Sequence, residues 1–404
     1  MSGARLVRDQ GVTAPGGFRA VGVAAGIKAS GAADMALVFN EGPDLTAAGV
    51  VTRNQVKAAP VLWTQQVLTT GRLRAVVLNS GGANACTGPP GFADAHATAE
   101  AVADALSQWG TETGAVEVAV CSTGLIGDRL PMPQVLAGVT HLVQEMAGGL
   151  VGGEDAARAI MTTDTVPKQV ALHHSPESGR NWTVGAMAKG AGMLAPSLAT
   201  MLCVITTDAV ADAAALHRAL TAAAAATFDR LDVDGCCSTN DTVLLLASGA
   251  SEIAPDQDEL DAAVLAVCDD LCAQLQADAE GVTKRVTVAV TGADSDAEAL
   301  FTARLIARDN LVKTALFGSD PNWGRVLAAV GMAPFPIDPD RVTVSFNGST
   351  VFAAGLPDPG ARSVDLSGAD VEVRVDLARG TGTAAIRTTD LSHGYVDENS
   401  AYSS

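Results

Sequence analysis

The sequence predicts a layered α/β fold of the α+β kind, in which mixed sheets are sandwiched by helices. Short apolar β-type runs alternate along the chain with segments whose apolar residues recur at helical spacing. A composition of 48% apolar and 18% charged residues is typical of a globular protein. This mixed order of elements differs from a TIM barrel or a Rossmann array. A length of 404 residues predicts two to three domains, at about 150 residues each.

In the first part of the chain, continuous apolar runs predict buried strands over residues 75–79 and 116–121. Alanine, leucine and valine at helical spacing predict helices over residues 92–109 and 132–146. Six residues, 148–153, contain four glycines and predict a flexible break between elements.

The remainder of the chain begins with a polar stretch over residues 168–188, where His173 to Arg180 predict an exposed loop. An apolar β-like run covers residues 201–206, and a further strand is predicted over 285–291. The last seventy residues predict strands and turns, with an Asn347-Gly348 hairpin turn after 342–346. Helices are predicted over residues 211–228, 259–280 and 297–312.

The net charge of −19 argues against nucleic-acid partners and anionic membrane surfaces, which attract lysine and arginine. No apolar run reaches the length of about 18 residues that a bilayer span needs, and the first residues contain no apolar signal core. The seven scattered cysteines predict reduced thiols and a cytoplasmic location. Cys268 and Cys272 have no partner pair at zinc spacing, so we expect a buried structural role and no metal site.

The segment 189–208 is the most unusual part of the sequence. A Gly turn, a proline and small residues lead into Ala199-Thr200, directly before the predicted strand. If the peptide bond before Thr200 broke, its own α-amine would serve as the base for its hydroxyl. The amine suits this role because its ordinary pKa is about 7.7–8.0. On the residues alone, Thr200 also fits an ordinary strand threonine. The sequence contains no GxSxG, HExxH, P-loop or post-strand GxGxxG motif.

Seven sequence blocks, in order, resemble the ornithine acetyltransferase (glutamate N-acetyltransferase) family of arginine biosynthesis. The run Lys189-Gly190-Ala191-Gly192-Met193-Leu194-Ala195-Pro196-Ser197-Leu198-Ala199-Thr200 resembles its self-cleavage signature. Departures are small, with Ala191, Ser197 and Leu198 standing where many members have other residues. The other blocks are 79–88, 122–127, 162–164, 238–241, 318–325 and 398–404.

The resemblance implies a self-processing N-terminal-nucleophile acyltransferase of the DmpA/ornithine-acetyltransferase-like type. The precursor is expected to cut itself between Ala199 and Thr200, giving an α chain 1–199 and a β chain 200–404 that form an α2β2 heterotetramer. Thr200 then takes the acetyl group from N-acetylornithine as an ester and passes it to glutamate in a ping-pong reaction. No cofactor is implied. Some members also use acetyl-CoA, and the sequence leaves that open.

The resemblance also assigns the site residues. Thr123 and Gly124 are expected to form the oxyanion hole, on a turn after a buried strand. Lys189 is expected to supply a cation for a substrate carboxylate, although the residue alone would more often be a solvated surface lysine. Glu280 is expected to bind substrate, although a glutamate at the end of a predicted helix would more often be solvated. The resemblance places a substrate-binding hydroxyl at Thr162, and the assignment could be off by one, at Thr163. The implied substrate-binding residues are Thr162, Lys189, Thr200, Glu280, Asn399 and Ser404.

Two other functions fit parts of the same sequence. A self-cleaving N-terminal-nucleophile aminopeptidase or amidase would use the same Thr200 with water as the acceptor. A non-catalytic small-molecule-binding protein would never cut itself. The presence of two fragments on a denaturing gel separates the enzymes from the binding protein.

Overall fold

The computed structural model describes residues 3–148, 150–175, 179–193 and 201–401. Contacts divide the chain into two compact units. The first unit contains most of the chain up to Leu275. The second unit contains the chain from Gln276 onward, together with two earlier segments, residues 192–193 and Arg230–Cys236.

The first unit carries two sheets with helices around them. Its strands are β1 (Ala4–Val7), β2 (Phe18–Val23), β3 (Met35–Asn40), β4 (Thr46–Val51), β5 (Ala75–Ser80), β6 (Val118–Thr123), β7 (Ala147–Gly148), β8 (Lys168–His174), β9 (Trp182–Lys189), β10 (Leu202–Thr207) and β11 (Thr242–Ala247). Its helices are α1 (Ala59–Leu68), α2 (Gly88–Gln108), α3 (Met132–Glu145), α4 (Leu150–Ala159), α5 (Ala213–Ala226) and α6 (Gln257–Ala277), the last two residues of which belong to the second unit.

One sheet of the first unit has the strand order β1-β8-β9-β10-β11-β4. Only β10 and β11 run parallel, and the other neighbouring strands are antiparallel. Every residue of β10 and β11 is buried, which explains why both read as continuous apolar runs in the sequence rather than as an alternating pattern.

The other sheet has the order β6-β5-β3-β2-β7, with β5 and β6 parallel. Helices α3 and α4 cover its opposite faces. A Cβ atom placed on Gly22 would lie 2.1 Å from the carbonyl oxygen of Asp155 in α4. Gly138 of α3 instead faces Met35, whose strand partner is Val23. Because neighbouring residues of a strand point to opposite faces, the two helices enclose this sheet.

Apolar side chains from both sheets of the first unit form one core cluster. It includes Val38 and Leu78 from one sheet and Met187, Val204 and Leu244 from the other. The two sheets therefore contribute side chains to one shared core cluster.

The second unit is a single sheet with helices packed on it. Its elements are β12 (Arg285–Ala293), α7 (Asp296–Arg308), α8 (Asn310–Phe317), α9 (Trp323–Val330), β13 (Thr343–Phe346), β14 (Ser349–Ala353), β15 (Leu356–Pro357), β16 (Asp370–Asp376), β17 (Gly382–Thr389) and α10 (His393–Ala401), with the strand order β15-β14-β13-β16-β12-β17. Buried Val286, Val288 and Val290 alternate along β12 with half-buried residues, so one face points to the core. Asn347 and Gly348 both have positive φ, as the predicted hairpin turn requires.

The structure confirms the mixed α/β fold class and corrects four local predictions. The predicted break over 148–153 is wrong from residue 150 on, because α4 begins at Leu150. The predicted exposed loop from His173 is wrong at its start, because β8 continues to the buried His174. The helix predicted over 297–312 is two helices, since the Asp309 side chain caps α8. The prediction of strands and turns over the last seventy residues is wrong at the end, because α10 covers His393–Ala401.

No helix within the described residues is long and apolar enough to cross a membrane. Cys268 and Cys272 are both fully buried in α6, in agreement with the structural role expected for them.

Candidate active site

The parallel strands β5 and β6 end side by side, with Ser80 paired to Thr123. The loop that follows β5 turns back onto this end, and the amides of Gly81 and Gly82 donate to the carbonyl oxygen of Thr123 at 2.9 and 3.1 Å. Thr123 is 1% exposed. The carboxyl ends of neighbouring parallel strands are a common place for a ligand site.

Gly124 occupies a backbone position that only glycine fits. Its φ is +133°, and a Cβ atom there would lie 2.5 Å from the nitrogen of Gly82. Within the part of the chain that the structure describes, no residue accepts a hydrogen bond from the Gly124 amide. The turn therefore holds one buried hydroxyl next to one available backbone donor.

Lys189 ends β9 and is 1% exposed. Its Nζ donates to Thr162 Oγ1 at 2.5 Å and to Thr123 Oγ1 at 3.3 Å. The sequence alone favoured a surface position for this lysine, and the structure buries it instead. Because the Thr123 oxygen accepts from an ammonium group, its own proton becomes a stronger donor.

Asp164 is the buried counter-ion of this cluster. One of its oxygens accepts from Lys168 Nζ at 2.6 Å and from the Gly190 amide at 2.7 Å, and the other lies 3.8 Å from Lys189 Nζ. Burial raises the pKa of Asp164, but Lys189 and Lys168 outweigh it and lower the pKa to about 2. The carboxylate is therefore ionised and balances the buried ammonium groups.

Glu280 and Asn399 come together in the second unit. Asn399 Nδ2 donates to Glu280 Oε2 at 2.8 Å. Glu280 was predicted at a helix end, but α6 stops at Ala277, and the side chain is 8% exposed rather than solvated. Gly192 leaves room for this carboxylate, because a Cβ atom there would lie 2.3 Å from it.

A second carboxylate, Asp234, lies near Glu280 in the same unit. Asp234 Oδ2 accepts from the Met193 amide at 2.5 Å. Burial, together with Asp234 and Glu280, raises the pKa of Tyr395 to about 12. Two carboxylates in one place suit a cationic group of a ligand.

The structure thus brings Thr123, Thr162 and Lys189 together in one unit, and Glu280 and Asn399 in the other. Ala199, Thr200 and Ser404 lie outside the described residues. Sequence reasoning gave no role to Asp164 or Lys168. Asp164 directly follows the Thr162-Thr163 pair in one of the quoted blocks, and that adjacency was the signal available.

The profile of the ArgJ family matches residues 19–404. The chain is 79% identical over 400 residues to the arginine biosynthesis bifunctional protein ArgJ of Mycobacterium tuberculosis, covering 99% of this chain and 98% of the relative. The protein of the same name from Streptomyces avermitilis is 57% identical over 393 residues, covering 97% of this chain and 100% of the relative. A crystal structure of ornithine acetyltransferase complexed with ornithine, from Mycobacterium tuberculosis, is 83% identical, covers 48% of this chain and 100% of its own, and has a TM-score of 0.47.

Proposed function

The chain belongs to the ArgJ family of arginine biosynthesis enzymes, and from that premise we propose that it transfers the acetyl group of N-acetylornithine to glutamate. The products are ornithine and N-acetylglutamate. The observation that carries the proposal is the buried contact of Lys189 with the Thr123 and Thr162 hydroxyls. This contact supports the proposal because it supplies a polarised hydroxyl donor of the kind that acyl transfer uses.

The proposed nucleophile is Thr200. Its hydroxyl oxygen attacks the acetyl carbonyl while its free α-amine takes the hydroxyl proton. The tetrahedral intermediate collapses, the bond to the ornithine nitrogen breaks, and the nitrogen leaves with that proton. Glutamate then attacks the acetyl ester through its amine, and the Thr200 oxygen recovers a proton. No cofactor enters either half of this reaction.

We assign the oxyanion hole to Thr123 and Gly124. Each attack on a carbonyl places negative charge on its oxygen, and donors already fixed in position stabilise that charge most. The burial of Thr123 and its contact with Lys189 support this assignment. The backbone conformation of Gly124 supports it as well, because it excludes a side chain from the turn.

Charge supports the proposed substrate contacts. Lys189 is a buried cation beside the Thr123 and Thr162 hydroxyls, and a carboxylate of the substrate would be its complementary group. The carboxylate of Glu280, held by Asn399, suits the side-chain ammonium of ornithine. The proposed substrate-binding residues are Thr162, Lys189, Thr200, Glu280, Asn399 and Ser404.

The free amine of Thr200 requires a cut in the chain. We propose self-cleavage between Ala199 and Thr200, giving the chains 1–199 and 200–404, which assemble as an α2β2 heterotetramer in the cytoplasm. The curated relatives carry the word bifunctional in their names, and we assign the second activity to acetylation of glutamate from acetyl-CoA at the same Thr200. Replacing acetylornithine with acetyl-CoA in the assay tests it.

The substitution Thr200→Ala tests the proposed function. This variant keeps one intact chain and transfers no acetyl group, because it lacks the hydroxyl that both reactions use. Thr200→Ser keeps a hydroxyl and is the matched control, expected to retain cleavage. The measurements are a denaturing gel and the formation of N-acetylglutamate.

Normal transfer by the alanine variant would refute the nucleophile assignment. Release of acetate from acetylornithine at the same rate with and without glutamate would point to a hydrolase instead. A wild-type chain that stays intact and inactive would point to the binding protein.

A further inference from the structure

Asn240 and Asp241 directly precede β11 and are almost completely buried, at 3% and 0% exposure. Asn240 Nδ2 donates to the carbonyl oxygens of Ala83 and Ser122 at 2.6 and 2.8 Å. Ser122 is the residue before Thr123. The Asn240 amide therefore joins the end of β6 to the loop that follows β5, and both belong to the proposed oxyanion turn.

Asp241 makes the corresponding contact on the other side. Its Oδ1 accepts from the Met201 amide at 3.0 Å, and the amide of Thr242 donates to the Met201 carbonyl oxygen at 3.1 Å. Both backbone polar groups of Met201 are thus fixed by two consecutive residues, Asp241 and Thr242. The nitrogen of Met201 is bonded to the carbonyl carbon of residue 200, so its position constrains that residue.

The Asp241 carboxyl group accepts this hydrogen bond from a fully buried position. Burial raises its pKa well above the ordinary value, while the Met201 amide, Ser238 and the charge of Lys189 oppose that rise. Its second oxygen is buried as well. A neutral carboxylic acid has nearly the shape of an asparagine side chain and can accept through the same oxygen.

We propose that Asn240 and Asp241 are positioning residues that set the nucleophile against the oxyanion hole. Asn240 fixes the backbone one residue before Thr123, and Asp241 fixes the backbone one residue after Thr200. Both act through backbone groups and neither needs to touch the substrate. This inference rests on the proposed function of Thr200 and Thr123.

The substitution Asp241→Ala removes the acceptor for the Met201 amide. A misplacement of about 1 Å costs on the order of 100-fold in rate, so we expect kcat to fall by roughly that factor while KM stays within about two-fold. Self-cleavage should slow as well, because it uses the same hydroxyl. The transfer assay uses the fully cut fraction, so that incomplete processing does not lower the measured kcat.

The substitution Asp241→Asn supplies the rescue. Its amide oxygen replaces the acceptor without a carboxyl group, and we expect kcat to return to within about ten-fold of the wild-type value. Ser248→Ala is the matched control at the far end of β11. Ser248 is fully buried and its Oγ donates to the carbonyl oxygen of Gly16 at 2.6 Å. Its loss should lower Tm without changing kcat.

Three results would overturn the positioning role. One is an Asp241→Ala enzyme with the kcat of Ser248→Ala. Another is a change confined to KM. The third is an Asp241→Asn enzyme as slow as Asp241→Ala, which would mean that the acid itself is needed. If the alanine variant does not fold, Asp241→Glu moves the acceptor by one methylene, and an unchanged kcat in that variant would equally contradict the proposal.

Wild-type protein measured alongside separates this inference from the proposed function. If wild-type protein neither cuts itself nor transfers acetyl groups, the proposed function fails. If it does both while the Asp241 variants match it, only the positioning role fails.

Discussion

At the scale of single residues, the site depends on how three charges are buried together. Lys168 and Asp164 have fully buried side chains, and Lys189 is 1% exposed. A buried charge is tolerated only when it is paired and hydrogen-bonded. Asp164 meets that need with two lysine partners and the amides of Gly190 and Thr162. The lysine that contacts Thr123 is therefore held in place by its counter-ion.

The substitution Asp164→Asn should make the free energy of unfolding depend less on pH in the acid range. The pKa of Asp164 in the folded protein is about 2, below its unfolded value of about 3.9. The carboxylate thus contributes stability above pH 4, about 2 kcal/mol or more by linkage, and this is lost as pH falls from 4 to 2. The variant should lose several kcal/mol at pH 7 because two ammonium groups stay buried without it.

Urea unfolding at a series of pH values measures this effect. Asp370→Asn is the control, since Asp370 forms an exposed pair with Arg285 and its side chain is 76% exposed. Surface pairs contribute little, so this variant should follow the wild-type pH profile. If Asp164→Asn also follows the wild-type pH profile, that result would contradict the assignment of a buried negative charge to Asp164.

The sequence predicted which residues form the site better than it predicted the environment of each residue. A Ser-Thr-Gly run after an apolar strand predicts a turn from local pattern alone, and the chain turns at Gly124, directly after β6 ends at the buried Thr123. The burial of Lys189 depends on Asp164, which is 25 residues away in the chain. Local periodicity carries no information about such a contact, so the lysine looked like a surface residue.

At the scale of elements, helix α4 shows how packing overrides propensity. Glycine disfavours helices, and four glycines in six residues predicted a break. In the structure, Gly153 lies in α4, where a Cβ atom would be 2.8 Å from Thr13 Oγ1. Gly22 of β2 allows an equally close approach from the sheet side. Gly22 lets β2 approach α4, and Gly153 lets α4 approach the turn at Thr13, more closely than larger residues would permit.

Gly22→Ala should destabilise the first unit. The added Cβ atom would lie 2.1 Å from the Asp155 carbonyl oxygen and 2.9 Å from the Ala159 Cβ, so α4 must shift. Overpacking of this kind costs typically about 1–3 kcal/mol. Gly368→Ala is the control, because nothing lies within 4 Å of its Cβ position. Denaturant unfolding compares them, and equal midpoints would contradict the close packing described for α4.

The elements that were predicted well are those with one clear sequence pattern, such as a continuous apolar run, a helical spacing or a turn dipeptide. Strand β5, helix α3 and the Asn347-Gly348 turn agree with their sequence patterns within about a residue. The end of β8 was predicted as a loop because His173 and His174 are polar, although His174 is buried and stacks on Trp182. Polar residues in a buried strand give the pattern of a loop.

At the scale of the whole molecule, the proposed cut falls between two neighbouring strands of one sheet. β9 ends at Lys189 and β10 begins at Leu202, and these two residues are paired. Within that sheet, β10 and β11 come from the 200–404 side, while β9 on one flank and β4 on the other come from 1–199. The C-terminal piece therefore places two strands in the middle of a sheet that the N-terminal piece completes.

The cut protein should accordingly stay in one piece under native conditions. Backbone hydrogen bonds on both flanks of the β10–β11 pair and a shared apolar core hold the fragments together. Size-exclusion chromatography should give a single peak in which a denaturing gel shows both fragments. Separation of the fragments in buffer without denaturant would contradict this arrangement.

Because of the same strand order, a protein with the proposed cut cannot refold after denaturation in the way that the uncut chain can. Before the cut, β10 and β11 find their places within one tethered polymer, and the search is independent of dilution. Afterwards, a denatured sample holds two separate molecules, and recovery of the sheet becomes a second-order encounter that slows as the solution is diluted. The proposed cut thus supplies a free amine but removes the ability to refold as a single chain, and the lifetime of the cut enzyme is then set by its rate of unfolding.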